Sequence, residues 1–178
     1  MEYADWEKRL PGEISAAKDR IKAGKIDFES GEIQDFIKPY IMPDSKILDA
    51  GAGVVTSLGA RLNNQQLNIT AIDVLADEYN KLLETYNLSF PIKTEQGTFE
   101  GIVDQFGENV FDFVYAKNSL DQCLRPIHAL WNMIRACKPN GHIFIQLSEN
   151  SATKSGYGGL TLWDFCILNG KLLMIGIS

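Results

Sequence analysis

The chain has 178 residues, 45% hydrophobic and 22% charged, with 17 Lys and Arg against 23 Asp and Glu for a formal charge of −6. That composition suits one globular domain with a buried core and excludes a disordered, collagen-like or membrane-spanning chain. The acidic balance removes the attraction to phosphate backbones that binders of nucleic acid or anionic membranes carry. Cys123, Cys137 and Cys166 are well separated and lack the C-x-x-C pairing of zinc or redox sites, so neither a disulfide nor a metal site is expected. The acidic N-terminus has no secretory pattern, and the expected location is cytoplasmic.

Residues 5–25, rich in Glu, Lys, Ala and Arg, read as helix broken at Pro11-Gly12. A second helix is expected from an N-cap at Ser30, with Ile33, Phe36, Ile37 and Tyr40 on one face. Residues 1–43 are thus a helical lead-in to a domain over 44–178, the whole forming one compact unit. Pro43-Asp44-Ser45 turns the chain into a strand at 46–50, then a Gly51-Ala52-Gly53 loop and a helix from Thr56 or Ser57 to about Asn64. A strand at 67–73 precedes a helix capped by Asp77 and carrying Tyr79, Leu82, Leu83 and Tyr86. A strand is expected at 91–95, helical spacing at Phe99, Ile102, Val103 and Phe106, and a nearly all-apolar strand at 111–116. Pro126 opens a helix that buries Ile127, Leu130, Trp131, Ile134 and Cys137 and stops at Pro139-Asn140-Gly141. After a strand at 142–147 and a loop at 149–159, runs at 160–168 and 171–177 flank Asn169-Gly170, a two-residue hairpin signal. Alternating strands and helices imply an open α/β sheet, mostly parallel, ending in an antiparallel C-terminal hairpin, with helices on both faces.

The chemistry concentrates in Ile47-Leu48-Asp49-Ala50-Gly51-Ala52-Gly53, an apolar strand that ends in an acid and a small-residue loop. In open α/β sheets such a loop faces the crevice where nucleotide-like ligands bind. Asp73 ends the next strand and could accept hydrogen bonds from two ribose hydroxyls. A dinucleotide fingerprint needs a third glycine where Thr56 stands. Asp49 would repel a pyrophosphate and suits a ligand with an ammonium and a sulfonium, which favours S-adenosylmethionine over NAD.

With Phe111-Asp112-Phe113-Val114-Tyr115 and Arg135-Ala136-Cys137-Lys138-Pro139-Asn140-Gly141, these motifs make residues 44–147 resemble the class I S-adenosylmethionine-dependent methyltransferases, with their Rossmann-like sheet, and in particular the small-molecule and glycan methyltransferases. The resemblance implies a cofactor site of Asp49, Ala50, Gly51, Ala52, Gly53, Asp73, Val74, Thr98, Phe99, Lys117 and Asn118, with Val74 against the adenine. It implies O-methylation of a small molecule or sugar, with Asp121 as the candidate base ahead of His128, since Gln122 stands where relatives often have His. The Trp6 lead-in reads as packing before lid, and a homodimer would complete an open site. Two alternatives are a non-catalytic cofactor-binding regulatory subunit and an NAD(P)-linked oxidoreductase.

Overall fold

The computed structural model describes residues 3–26 and 31–176. In chain order its elements are α1 (Tyr3–Glu7), α2 (Leu10–Lys22), β1 (Lys46–Ala50), β2 (Arg61–Leu62), β3 (Gln65–Gln66), β4 (Asn68–Asp73), α3 (Ala76–Thr85) and β5 (Thr94–Gln96). There follow α4 (Ile102–Phe106), β6 (Phe111–Lys117), α5 (Pro126–Ala136), β7 (Cys137–Gln146), α6 (Ser151–Lys154), β8 (Trp163–Leu168) and β9 (Lys171–Gly176). Five strands form a parallel sheet in the order β5-β4-β1-β6-β7. The order reverses between β1 and β6, and ligands bind beyond the carboxyl ends of the strands at such a switch point.

β1 is central and covered on both faces, which is why its sequence after the exposed Lys46 is apolar except for Asp49. Leu48, Ala50, Ile72, Val114 and Ala116 face a core closed by Ile102 of α4, by Ala129, Met133 and Ala136 of α5, and by Phe165 of β8. On the other face Ile47, Phe113 and Tyr115 meet Ile33, Ile37, Ile41, Leu58 and Leu62. Ala17 and Ile21 of α2 pack on Tyr79 and Leu83 of α3, which borders β5.

Several elements differ from expectation. Pro11-Gly12 opens α2 instead of breaking a helix, because proline in a first turn gives up an N–H that has no partner there anyway. Ile33 and Ile37 are buried as expected, but no α-helix carries them. The chain turns at 35–37 and makes a single 3₁₀ turn at Lys38–Tyr40, where Pro39 has no N–H to donate. Phe36 and Tyr40 stay about half exposed and lean on Phe144 and His142 at 5.1 and 5.0 Å. The Ser30 cap lies outside the described residues.

The helix expected over 56–64 is absent. A loop leads instead into the β2–β3 hairpin, which turns at Asn63-Asn64 with φ of 51° and 64°. Gly59 has φ +90°, and a Cβ there would lie 2.5 Å from the Glu32 carbonyl oxygen. The Glu32 carboxylate accepts from the Asn63 and Asn64 N–H groups at 2.9 and 2.7 Å, a partner set that a helix would not need. Asp77 lies in the first turn of α3 and does not cap it, Leu75 being the N-cap residue. The third strand pairs only at Thr94–Gln96.

α5 seats Ala129 and Ala136 inward together with Asn132 and Met133, all buried, whereas Ile127, Trp131 and Ile134 are 70%, 56% and 51% exposed. Small side chains let the helix axis approach the sheet, and Asn132 ties it down by donating to the Glu100 carbonyl at 2.8 Å. Pro139-Asn140-Gly141 is an irregularity inside β7, with Asn140 at φ 65°. β8 and β9 pair across Asn169-Gly170 as expected, but they form a two-stranded sheet of their own. The stretch at 149–159 holds the short α6.

Candidate functional site

The loops at the carboxyl ends of β1, β4 and β6 converge. After β1 the chain bends back at Gly51 (φ +69°), whose N–H, like that of Ala52, donates to the Ile72 carbonyl at 2.9 and 3.0 Å. A Cβ on Gly51 would lie 2.4 Å from Ser119 Cβ and 3.1 Å from the Phe99 ring, so the left-handed turn and the close approach both demand glycine. Ser119 Oγ donates to the Ala50 carbonyl at 3.2 Å and ties the β6 loop to the β1 loop. The Asp73 carboxylate at the end of β4 accepts the Gly53 N–H on one oxygen and the Leu75 N–H on the other, both at 2.9 Å. Burial pushes its pKa up, and those two N–H groups oppose the rise by stabilising the charged form.

These loops border a cavity of about 750 Å³. Gly51, Asp73, Val74, Thr98 and Phe99 line one side, and Ser119, Gln122, Leu124, Arg125 and His128 line another. Trp6, Glu13 and Leu160 close it from the lead-in and from the segment before β8. Trp6 Nε1 donates to the Gln122 carbonyl at 2.9 Å, and Arg9 donates to the Tyr157 and Gly159 carbonyls at 3.0 and 2.9 Å. Glu13, Asp73 and Glu100 give the wall three carboxyl groups, apolar surface comes from Val74, Leu75 and Phe99, and no cluster of metal-ligating side chains occurs among the described residues.

A family model described as a methyltransferase domain matches residues 48–145, over half of the chain. The chain belongs to the methyltransferase-domain family. Structures that share its fold include S-adenosylmethionine-dependent methyltransferases. The fold agrees. A methyltransferase of Haloferax volcanii, in complex with the Trm112 methyltransferase activator, superposes with a TM-score of 0.56 at 14% identity, covering 88% of this chain and 77% of that one. An S-adenosylmethionine-dependent methyltransferase of Methanococcus maripaludis gives 0.55 at 19% identity, over 80% and 68%. The trans-methyltransferase CalH in complex with SAH gives 0.51 at 19% identity, over 66% of this chain and 36% of that one. The chain thus spans about a third of the length of CalH. No curated protein matches it in sequence.

In this methyltransferase domain five of the expected site residues, Gly51, Asp73, Val74, Thr98 and Phe99, border the cavity. Thr98 also caps the 3₁₀ turn at Phe99–Gly101 by accepting the Gly101 N–H. Asp49 points away from the cavity: it is 2% exposed and accepts from Thr56 Oγ1 at 2.6 Å. Burial pushes its pKa up to about 7, with the Asp73 charge adding and the Thr56 bond opposing. Thr56, standing where a third glycine was sought, is thus the partner of the buried acid. Ala50, Ala52 and Gly53 support the loop through backbone bonds, Gly53 through its bond to Asp73. Lys117 ends β6 and Asn118 follows it, both outside the lining, and the Asn118 N–H donates to the Gln146 carbonyl at 2.8 Å.

Asp121 is not brought to the cavity. It is 3% exposed, with Oδ2 accepting from Ser151 Oγ at 2.6 Å and its backbone carbonyl accepting from the Leu162 N–H. Burial pushes its pKa up. Trp6, whose lead-in was read as packing before lid, lines the cavity, and Glu13, Tyr79, Glu100 and Arg125 are lining residues that sequence reasoning passed over. For Tyr79 the signal was its place on the apolar stripe of α3. For Glu13 there was none, because only the docking of α2 brings it to the site.

Proposed function

We propose that the cavity holds S-adenosylmethionine and that the domain methylates an oxygen of a small-molecule or sugar acceptor. The observation that carries this is Asp73: a carboxylate at the end of β4, the strand beside β1, oriented by two backbone N–H groups, whose remaining lone pairs suit the vicinal hydroxyls of a ribose. When bound, the cofactor supplies an electrophilic methyl group on a sulfonium. Val74 and Phe99 offer apolar surface to the adenine, the Gly51 turn lets the methionine part approach the backbone, and Glu13 and Glu100 favour the positive charges. Positioning of the acceptor supplies much of the acceleration expected of a displacement of this kind. Asp121 holds Ser151 at the start of α6, which leaves His128, at the cavity wall, as the group better placed to take a proton.

Calorimetric titration tests the reading. S-adenosylmethionine and S-adenosylhomocysteine should bind the wild type, and Asp73→Asn should weaken both by about tenfold or more, the worth of a hydrogen bond to a charged group. No binding to the wild type, or tighter binding of NAD, would overturn it. A second reading, a domain that works in a complex, is favoured by the exposure of Ile167, Leu168, Leu172 and Ile175 on the β8–β9 hairpin. Patches of this kind mark contacts with other chains, and a second copy or an activator would cover this one.

A further inference from the structure

We propose that the acceptor occupies the apolar groove beside the cofactor cavity and that it is a planar aromatic molecule bearing an anionic group. This rests on the cofactor reading above and narrows its acceptor. The groove encloses about 530 Å³ between α5 and the C-terminal hairpin, with Pro126, Ile127 and Trp131 on one wall and Trp163 and Met174 on the other. Leu124, Arg125 and His128 line both the groove and the cofactor cavity, so the two are neighbouring compartments of one site.

Its aromatic wall is rigid. Trp163 Nε1 donates to the Cys123 carbonyl at 2.8 Å. Gly176 of β9 lies so close against the indole that a Cβ there would be 2.3 Å from Cζ3. Trp131, by contrast, is 56% exposed, and Ile127 one turn away is 70% exposed. Large apolar side chains facing each other across an open groove present stacking surface to a flat ring. A sugar would set its hydroxyls against carbon and leave them without partners. The charge is also placed. Arg125, at the junction, takes part in none of the four ion pairs among the described residues. Glu13 and Asp73 line the cofactor cavity and not the groove, so they disfavour an anion on the cavity side, while Arg125 favours one on the groove side.

The probes are 3-hydroxy-2-naphthoate and its uncharged counterpart 2-naphthol, titrated by fluorescence, with S-adenosylhomocysteine titrated in parallel by calorimetry. The naphthoate should bind the wild type, and Trp131→Ser should weaken it by about tenfold, or 1.4 kcal/mol. Arg125→Gln should weaken the naphthoate by about fivefold or more while changing 2-naphthol little. Leu172→Ser, on the hairpin outside the groove, should change neither, and Trp131→Ser should still bind S-adenosylhomocysteine as evidence of an intact fold. Equal binding to Trp131→Ser, or equal loss in Leu172→Ser, would overturn the groove. So would a wild type that takes S-adenosylhomocysteine and refuses the naphthoate. A wild type that refuses S-adenosylhomocysteine would instead bring down the cofactor reading, and the acceptor role with it.

Discussion

β1 and the segment that follows it lie side by side and are held in opposite ways. Each residue of β1 is registered against β4, and its middle three against β6 as well, with apolar cover above and below. Residues 51–66 have only the two-residue pairing of β2 with β3 as strand, and otherwise hang on scattered bonds: Gly51 and Ala52 donate backbone N–H groups to Ile72, Ala60 donates to Gly31, Ile33 and Gln34 donate to Arg61 and Leu58, and single side chains add the rest. Thr56 bonds to Asp49, Asp73 receives Gly53, Thr94 Oγ1 donates to the Gly53 carbonyl at 3.1 Å, and Glu32 receives Asn63 and Asn64. The first region resists local change because many weak contacts share the load. The second is as strong as a few polar bonds, and the proposed cofactor site is built where the two meet.

The buried acid at that junction is the first place to break the contrast. With its pKa raised from the ordinary 3.8 to about 7, Asp49 binds a proton in the folded protein at pH values where the unfolded chain has released it. Stability from this group is therefore complete below about pH 4 and is lost as pH rises through about 7, a change on the order of 4 kcal/mol. Asp49→Asn, which still accepts from Thr56, should flatten that loss. Melting curves from pH 5 to 8.5 should show the variant gaining on the wild type as pH rises, and a constant difference would contradict it. Met133→Ala, beneath the strands, should cost about 2–5 kcal/mol in urea titration, while its exposed neighbour Ile134→Ala stays within about 0.5 kcal/mol.

Smaller effects sharpen the loop side. Gly51→Ala should cost about 2 kcal/mol from its left-handed φ and the clash with Ser119, and the clash component should be recovered in a Ser119→Gly background. Recovery of nothing would mean that the backbone angle alone sets the cost. Asn64→Ala should cost about 1 kcal/mol, and Asn64→Gly should cost little, since the hairpin needs only a residue tolerant of positive φ. Equal losses in the two variants would place the cost in the asparagine side chain.

The strands were legible because burial on both faces writes itself as an apolar run, as in Phe113-Val114-Tyr115-Ala116, and Asn169-Gly170 was legible because few pairs adopt that turn. The covering layers were not. Ile33, Ile37 and Ile41 repeat at a helical interval yet pack from irregular backbone, since burial constrains where a side chain ends and not how its backbone arrives. On α5 the larger side chains suggested the inner face, whereas close seating on the sheet selected the alanines. Within the site, Asp73 and Gly51 were legible from their strand ends. Glu13 and Arg125 depend on elements far apart in sequence and left no local trace, while for Trp6 the sequence offered a lid only behind packing.

The bonds from the lead-in also bear on the order in which the molecule assembles. Trp6 reaches a carbonyl 116 positions away and Arg9 reaches one 150 positions away, and closing loops of that length is entropically slow and is rewarded only after the intervening sheet exists. The wall of the cavity is therefore expected to close after the sheet has formed. In a chain still emerging from the ribosome, an enclosed pocket is expected only once residues 157–162 can fold back onto Trp6 and Arg9.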